Sequence, residues 1–308
     1  MKKRLFVLVL ALAVVFTFSA VPGFAASKQI VQVSEKSYYD SGDGLELSSS
    51  WKDTYKNGKL QKYTFTYISR DYNYDDDGNM NVTKSEEKSE YIYTYKNGRR
   101  ATTVHKENGK TVGKTVNSYK NKKISKITDY NYENGSYKKA SVVTYKYTSK
   151  KTTITTKYVD GTPEEKEVLE FNSKGRLLKE TSYKGGKKTG TWKYTYWDNG
   201  NDKKCVYETV EGDKTVMEYN KKGLITKNTY TSETSKHVST YKYNSSGLVS
   251  ERTDKYTFKS DAGDETTTTT YTYKYSKYYN SNKKYPQLVK IYEGDKLIEK
   301  EEKGYKKI

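Results

Sequence analysis

The residues able to do covalent or acid–base chemistry are sparse in this chain. It holds two histidines, His105 and His237, and one cysteine, Cys205. A thiol, an imidazole and an aspartate can compose a nucleophilic site, because the imidazole takes the thiol proton and the carboxylate orients the imidazole. No spacing sets Cys205 beside His237, so such a site is not expected. Two histidines and one cysteine without paired spacing also fall short of a four-ligand zinc site. Asn73 to Gly78 opens like a calcium loop, with Asn73, Asp75 and Asp77 as oxygen donors and Gly78 for the turn. The twelfth position is Lys84, so the closing carboxylate is missing and an acidic hairpin turn is the better reading. Glu86, Glu87, Glu164, Glu165 and Glu167 lie in charge-rich turns and are expected to be solvated. Sequence spacing cannot place two of them at the separation a glycosidase needs. Neither a Gly-rich phosphate loop nor a Gly-x-Ser-x-Gly elbow is present. The expectation is a chain with no catalytic residue, no metal and no cofactor.

What remains is aromatic and cationic. Tyrosine occurs 34 times and tryptophan three times. Aromatic rings stack on the apolar faces of sugars, and Trp192, Tyr194, Tyr196, Trp197, Tyr241 and Tyr243 are the candidates for such stacking. The competing reading is that these rings are the packing of the sheet itself. Net charge is +19, a balance that favours anionic partners and opposes self-association. Lysine spread along exposed strands also guards edges against aggregation.

The elements that must carry these residues are strands. Tyr63, Phe65 and Tyr67 recur with period two, as do Tyr91, Tyr93 and Tyr95; Trp192, Tyr194 and Tyr196; and Tyr271, Tyr273 and Tyr275. Threonine runs such as Thr266 to Thr270 agree, since threonine and tyrosine are strand formers. Turns fall at near-even steps. One series runs Asn57-Gly58, Asn97-Gly98, Asn121-Lys122, Ser149-Lys150, Lys174-Gly175, Asn199-Gly200, Lys222-Gly223, Ser246-Gly247. A second, including Asn108-Gly109, Asn134-Gly135 and Gly185-Gly186, lies between. Asn-Gly suits a two-residue hairpin loop because both central positions need positive φ. The longer Asn-x-x-Gly form, as at Asn220 to Gly223, suits a longer loop closed by glycine. The only helix-like stretch, Glu164 to Leu169, is too short to stand alone.

An internal repeat ties these features together. Met217 to Tyr230 aligns with Tyr241 to Asp254 at an offset of 24 residues, with Tyr219 on Tyr243, Asn220 on Asn244 and Gly223 on Gly247. Leu169 to Tyr183 aligns again. The spacing predicts an all-β antiparallel meander of roughly 24-residue hairpin repeats, about sixteen to twenty strands in all. A buried hydroxyl without a partner costs ~1–3 kcal/mol. A closed core built from so many tyrosines would need a partner for each phenol, so one long twisted or curled sheet is expected rather than a wide barrel.

Tyr-x-Tyr-Asn-x-x-Gly-Leu-Val-x-x-x-Thr, at Tyr241 to Thr253, resembles the YD repeat of Rhs-type proteins; Asn244 replaces the family's Asp, and Gly175-Arg176-Leu177 keeps its Gly-Arg-Leu. Tyr183 to Gly200 is similar to MORN-like repeats, with a Gly-x-Trp and an aromatic run before Asn-Gly. Both resemblances imply β-hairpin repeats. The YD resemblance further implies a structural or envelope- and carbohydrate-associated protein without catalytic residues of its own. The toxin core and processing region of large Rhs proteins have no counterpart here.

Residues 1–25 read as a signal peptide. Lys2, Lys3 and Arg4 form a basic start, Leu5 to Phe18 is a short apolar run, and Gly23-Phe24-Ala25 fits a small-residue cleavage site. The apolar run is short for a membrane span. No cysteine lies nearby for lipid attachment, and one cysteine makes no disulfide framework. Removing three cations of the +19 leaves +16 for residues 26–308, read as a single β-repeat domain. The chain is therefore expected outside the cytoplasm, secreted or cell-wall associated, without a membrane span. Nucleic acid is not expected as a partner for an exported chain. The expected role is a non-catalytic binding or scaffold surface at a bacterial envelope, meeting an anionic wall polymer or glycan through lysines opposite the tyrosines. The alternative is a secreted lectin-like or carbohydrate-active protein.

Overall fold

The computed structural model describes residues 30–40, 44–74, 80–260, 263–281 and 283–307. The signal segment and most of the calcium-loop candidate, Asp75 to Gly78, lie outside them. Among the described residues twenty strands follow one another: β1 (Ile30–Asp40), β2 (Leu45–Lys56), β3 (Lys59–Tyr74), β4 (Met80–Lys96), β5 (Arg99–Glu107), β6 (Lys110–Lys120), β7 (Lys123–Glu133), β8 (Ser136–Tyr147), β9 (Lys151–Tyr158) and β10 (Glu165–Phe171). The second half is β11 (Leu177–Lys184), β12 (Lys187–Tyr196), β13 (Asp202–Thr209), β14 (Lys214–Tyr219), β15 (Ile225–Thr231), β16 (Ser235–Tyr243), β17 (Val249–Phe258), β18 (Glu265–Tyr278), β19 (Pro286–Glu293) and β20 (Lys296–Lys307). Glu164 to Leu169 is not helical; most of it is β10.

Each strand pairs antiparallel with the next, and β1 pairs with β20 from Ile30↔Lys307 to Tyr39↔Glu299. That last ladder corrects the expected open sheet: the meander closes into a barrel and no strand edge is left unpaired. The expectation failed because it assumed that closure must dry the tyrosines. Two features remove that cost. Among the described residues no large side chain is fully buried, and the strands' contacts are mainly with their neighbours in the ring, with β2 also touching β20 across β1. A twenty-stranded ring is wide enough to leave its interior open rather than filled.

The second feature is a recurring clasp at the end of the barrel where β2 turns into β3 and β4 into β5. The Tyr95 hydroxyl donates to the Leu60 carbonyl at 2.6 Å, Tyr119 to Arg100 at 2.9 Å, and Tyr147 to Ile124 at 2.9 Å. Tyr196 donates to Leu177, Tyr243 to Ile225 and Tyr275 to Val249, each at 2.6 Å. In every case the donor closes one hairpin and the acceptor lies two residues past the preceding turn. The chain also slips register by one residue at Tyr95, Tyr119, Tyr196 and Tyr243, a bulge that bends the strand end toward its acceptor. These six phenols thus have partners on the backbone. This is the physical content of the 24-residue spacing: wherever the clasp tyrosine is present the repeat links a hairpin to the one before it, while Phe171 has no hydroxyl and Tyr219 donates to the Met217 sulfur instead.

The turns that carry the clasps are shaped by local chemistry. Asn57, Asn97, Asn108 and Asn134 adopt φ of 48–51°, each followed by a glycine with positive φ, as two-residue hairpin turns require. In the longer loops the Asn220 carboxamide oxygen accepts from the backbone N–H of Lys222 and Leu224, and Asn172 and Asn244 do the same in their own loops. An aspartate at these positions would accept the same two bonds.

Candidate functional site

Strand alternation sorts side chains onto two walls. One wall carries most of the aromatics, while Tyr38, Tyr130, Tyr183 and Tyr292 stand on the other, each under a lysine. Across neighbouring strands Asp53 faces Tyr63, Tyr63 faces Tyr91 and Tyr91 faces His105. Their rings run in series: Trp51–Tyr63 at 6.3 Å, Tyr63–Tyr91 at 5.9 Å, Tyr91–His105 stacked at 4.5 Å. Farther round, Tyr194 faces Cys205, Cys205 faces Met217, Met217 faces Asn228 and Asn228 faces Ser239. This wall is the more enclosed. Desolvation is the first cause of the raised pKa of Tyr93, pushed up to about 12, and of the raised carboxyls of Asp53, Glu167, Glu180 and Glu299. In a closed ring the enclosed wall is the concave one, where side chains converge.

The opposite, convex wall alternates threonine, valine and lysine. Along β18 the residues Thr270, Thr272 and Lys274 are exposed while Tyr271, Tyr273 and Tyr275 between them are half-buried. Lys274 faces Lys290, and Lys290 faces Lys300. Lys126, Thr144, Thr155 and Lys166 form a row across β7–β10. Lys157, Lys193 and Lys242 have side chains 73%, 63% and 74% exposed. Carboxylates here are held below their ordinary range by lysine: hydrogen bonding to Lys62 lowers Glu90, to Lys214 lowers Glu208, and to Lys300 lowers Glu302.

The six candidate aromatics do not form one patch. Trp192, Tyr194 and Tyr241 stand on the concave wall; Trp192 stacks on Tyr207 at 4.8 Å and lies 6.2 Å from Tyr194. Tyr196 and Tyr243 are clasp residues, their hydroxyls already committed to backbone carbonyls. Trp197 lies in the loop after β12, where its indole N–H donates to the Tyr219 carbonyl at 3.0 Å and Lys203 sits 4.9 Å above its ring.

Cys205 and His237 are not brought together. Cys205 lies on β13, His237 on β16, about 14 Å away across three strand spacings. Desolvation, then the nearby Asp202 charge, pushes the Cys205 thiol up to about 11, away from reactivity. His237 lies 3.8 Å from Asp254 and packs by Tyr256. Burial lowers His105. Among the described residues no group of three His, Cys, Asp or Glu could hold a metal ion. Of the acidic candidates, Glu86 and Glu87 are exposed on β4, Glu164 pairs with Lys157 at 3.4 Å, and Glu165 with Lys184 at 3.6 Å. Glu167 is not a solvated loop residue: it stands on the concave wall of β10 beside Glu180 of β11, and the charge of each carboxylate is disfavoured by burial and by its acidic neighbours.

Sequence reasoning missed the cationic partner of four of the six clasp rings. The residue after the turn glycine, or after Lys122, is basic in four hairpins and caps a clasp tyrosine: Lys59 over Tyr95 at 5.5 Å, Arg99 over Tyr119 at 5.6 Å, Lys123 over Tyr147 at 5.0 Å, Arg176 over Tyr196 at 5.5 Å. The signal was present in Gly175-Arg176-Leu177.

No family model matches the sequence, and no curated protein is similar to it. Solved structures similar in shape include a porin-like protein from Bacteroides uniformis, at 10% identity and TM-score 0.41, covering 93% of this chain and 100% of that one. A porin-like protein from Bacteroides vulgatus follows at 12% identity and TM-score 0.24, covering 89% and 98%. A protein of unknown function from Bacteroides fragilis has 12% identity and TM-score 0.15, covering 66% and 93%. The barrel stands on its own strand ladder. Among the described residues no helix is long and apolar enough to cross a membrane, which has no bearing on crossing by strands.

Proposed function

We propose that this chain is an exported, non-catalytic β-barrel of the bacterial cell envelope that binds anionic polymer through its lysine-coated convex wall. The observation that carries this reading is the separation of charge between the walls. Lysines repeat along the convex rows and outnumber carboxylates such as Glu90, Glu208, Glu251 and Glu302 among them, while the concave wall gathers Glu35, Asp53, Asp129, Glu167, Glu180, Asp254, Glu299 and Glu301 against the cations Arg252 and Lys303. A row of cations on a curved outer surface is complementary to a polyanion and speeds its capture. The export reading comes from residues 1–25, and the YD-like repeat fits a structural role.

The same surface argues against lipid. A lysine facing the middle of a bilayer costs ~2–4 kcal/mol on a barrel's outer wall, and Lys126, Lys193, Lys274 and Lys290 all stand on the convex wall within strand interiors. The barrel is therefore proposed to stand in water. A second reading, a lectin-like carbohydrate binder, is favoured by one feature only: the Trp192–Tyr207 stack beside Glu180 on the concave wall.

The test is binding of inorganic polyphosphate to the chain lacking residues 1–25, across a salt series. Strong binding at low salt that fades as salt screens exposed charges is expected. No binding at low salt, or binding indifferent to salt, removes the proposal.

A further inference from the structure

Two clefts at the clasp end of the barrel have the same construction. One, of about 390 Å³, lies between the loop after β10 and the loop after β12; it is lined by Asn172, Lys174, Arg176, Tyr196 and Trp197, with Ser173 and Asp198. The other, of about 340 Å³, lies between the loops after β14 and β16; it is lined by Asn220, Lys221, Lys222, Leu224 and Tyr243, with Asn244 and Gly247. In the repeat, Asn172 is equivalent to Asn220, Lys174 to Lys222, Arg176 to Leu224 and Tyr196 to Tyr243. Each cleft thus offers a clasp tyrosine, a carboxamide-braced loop and exposed cations. The interval between them is closed: the Trp197 indole, Asn199 and Asn201 all donate to backbone carbonyls of the β14–β15 loop region, at Tyr219 and Lys221.

The loops are rigid before any ligand arrives. Asn172 and Asn220 each accept two loop N–H groups, and Gly175 and Gly223 donate back to the Asn carbonyls at 3.0 and 2.9 Å. A preformed cleft spends little entropy on ordering when it binds. Between the clefts, Lys203 and Lys221 lie 4.9 and 5.8 Å from the Trp197 ring, which makes a continuous band of cations and aromatic faces. Four strand spacings separate the two clefts, about 19 Å at the usual strand distance.

We infer that the two clefts are paired subsites for a linear anionic polysaccharide, with a sugar ring against the aromatic face and its carboxylate or phosphate on the lysines. This deepens the polyanion reading and rests on it. It differs in requiring a sugar as well as a charge. Two subsites on one polymer raise affinity beyond either alone, provided the polymer spans them.

The probes are size-defined oligogalacturonates, short and long, with inorganic polyphosphate as the sugar-free polyanion, titrated against the chain lacking residues 1–25. The cleft variants are K174Q/R176Q and K221Q/K222Q, and the convex control is K157Q/K193Q/K242Q. All substituted side chains lie at the surface or in loops, and circular dichroism checks each fold. Each cleft variant is expected to weaken the long oligogalacturonate about tenfold, ~1.4 kcal/mol, to abolish the advantage of long over short, and to change polyphosphate binding less than twofold. If the long oligomer binds the cleft variants as tightly as the parent, the clefts are not its site, and the polyanion reading survives alone provided polyphosphate still binds. If the parent binds neither probe, both proposals fall together.

Discussion

The two walls of the barrel are built from one alternating pattern and end in opposite electrostatic states. On the convex wall a carboxylate beside lysine is stabilised as an anion: Glu90, Glu208 and Glu302 all titrate below their ordinary range. On the concave wall a carboxylate is desolvated among rings and other acids, and Glu167, Glu180 and Glu299 titrate above it. The cations of the concave wall follow the same rule: Arg252 pairs with Asp254 at 3.0 Å, and Lys303 is held between two acids. Burial opposes its charge, but Glu301 at 2.7 Å and Glu35 at 3.1 Å outweigh that and hold it above its ordinary value. The lesson is that a period-two sequence sets not only which residues face out but which charges can be kept there without a dedicated partner.

The largest expected difference between the walls is in thiol chemistry. Cys205 has its pKa raised to about 11 and is 3% exposed. At pH 8 its thiolate fraction is below that of an ordinary thiol of pKa 8.5 by a factor of about 200. Ellman's reagent should therefore modify Cys205 at least that much more slowly than a thiol placed on the convex wall of the adjacent strand, Lys193→Cys in a Cys205→Ser background. Similar rates would mean that β12 and β13 do not present these residues to opposite sides.

A smaller effect tests the clasp. Tyr243→Phe removes the hydroxyl that donates to Ile225 and is expected to cost ~1 kcal/mol, a drop of a few degrees in thermal midpoint at this size. Tyr241→Phe, two residues away on the concave wall and outside the clasp series, should move the midpoint less. The repeat itself supplies a comparison, since Phe171 occupies the clasp position in β10 without a hydroxyl.

The smallest effect is in pH dependence. Glu299 has a folded pKa raised by desolvation and then by the charges of Glu301 and Glu35. Such a group binds its proton more tightly folded than unfolded. Its stability contribution is full below the unfolded value, near 4.5, and is lost as pH rises through the folded value. Glu299→Gln should therefore raise the thermal midpoint at pH 7 by a degree or two and leave it unchanged at pH 4. Chemical denaturation at the two pH values gives the same comparison. Equal gains at both would show that the carboxylate's charge is not what matters.

Much of this architecture was legible in the sequence. The Asn-Gly and Asn-x-x-Gly turns named the hairpins because positive φ leaves few alternatives, and the alternation at Trp192 to Tyr196 placed lysine opposite the rings. Closure was not legible. It depends on the accumulated twist of twenty strands returning β20 to β1, which no local motif encodes. Closure looked costly by the number of phenols, yet the hydroxyls of Tyr95, Tyr119, Tyr147, Tyr196, Tyr243 and Tyr275 each reach a carbonyl two residues past an earlier turn. The aromatic candidates were scattered for the same reason: a run such as Trp192 to Trp197 passes from concave wall to clasp to rim loop, and its sequence gives no sign of where those borders fall.

The most direct test of the two-walled barrel is lysine acetylation footprinting, read by mass spectrometry, with and without polyphosphate. Lys157, Lys193 and Lys242 should modify rapidly in the free protein and be protected by the polymer. Lys303, enclosed between Glu301 and Glu35, should modify slowly in both. Rapid modification of Lys303, or polymer protection that does not distinguish it from Lys242, would contradict the arrangement.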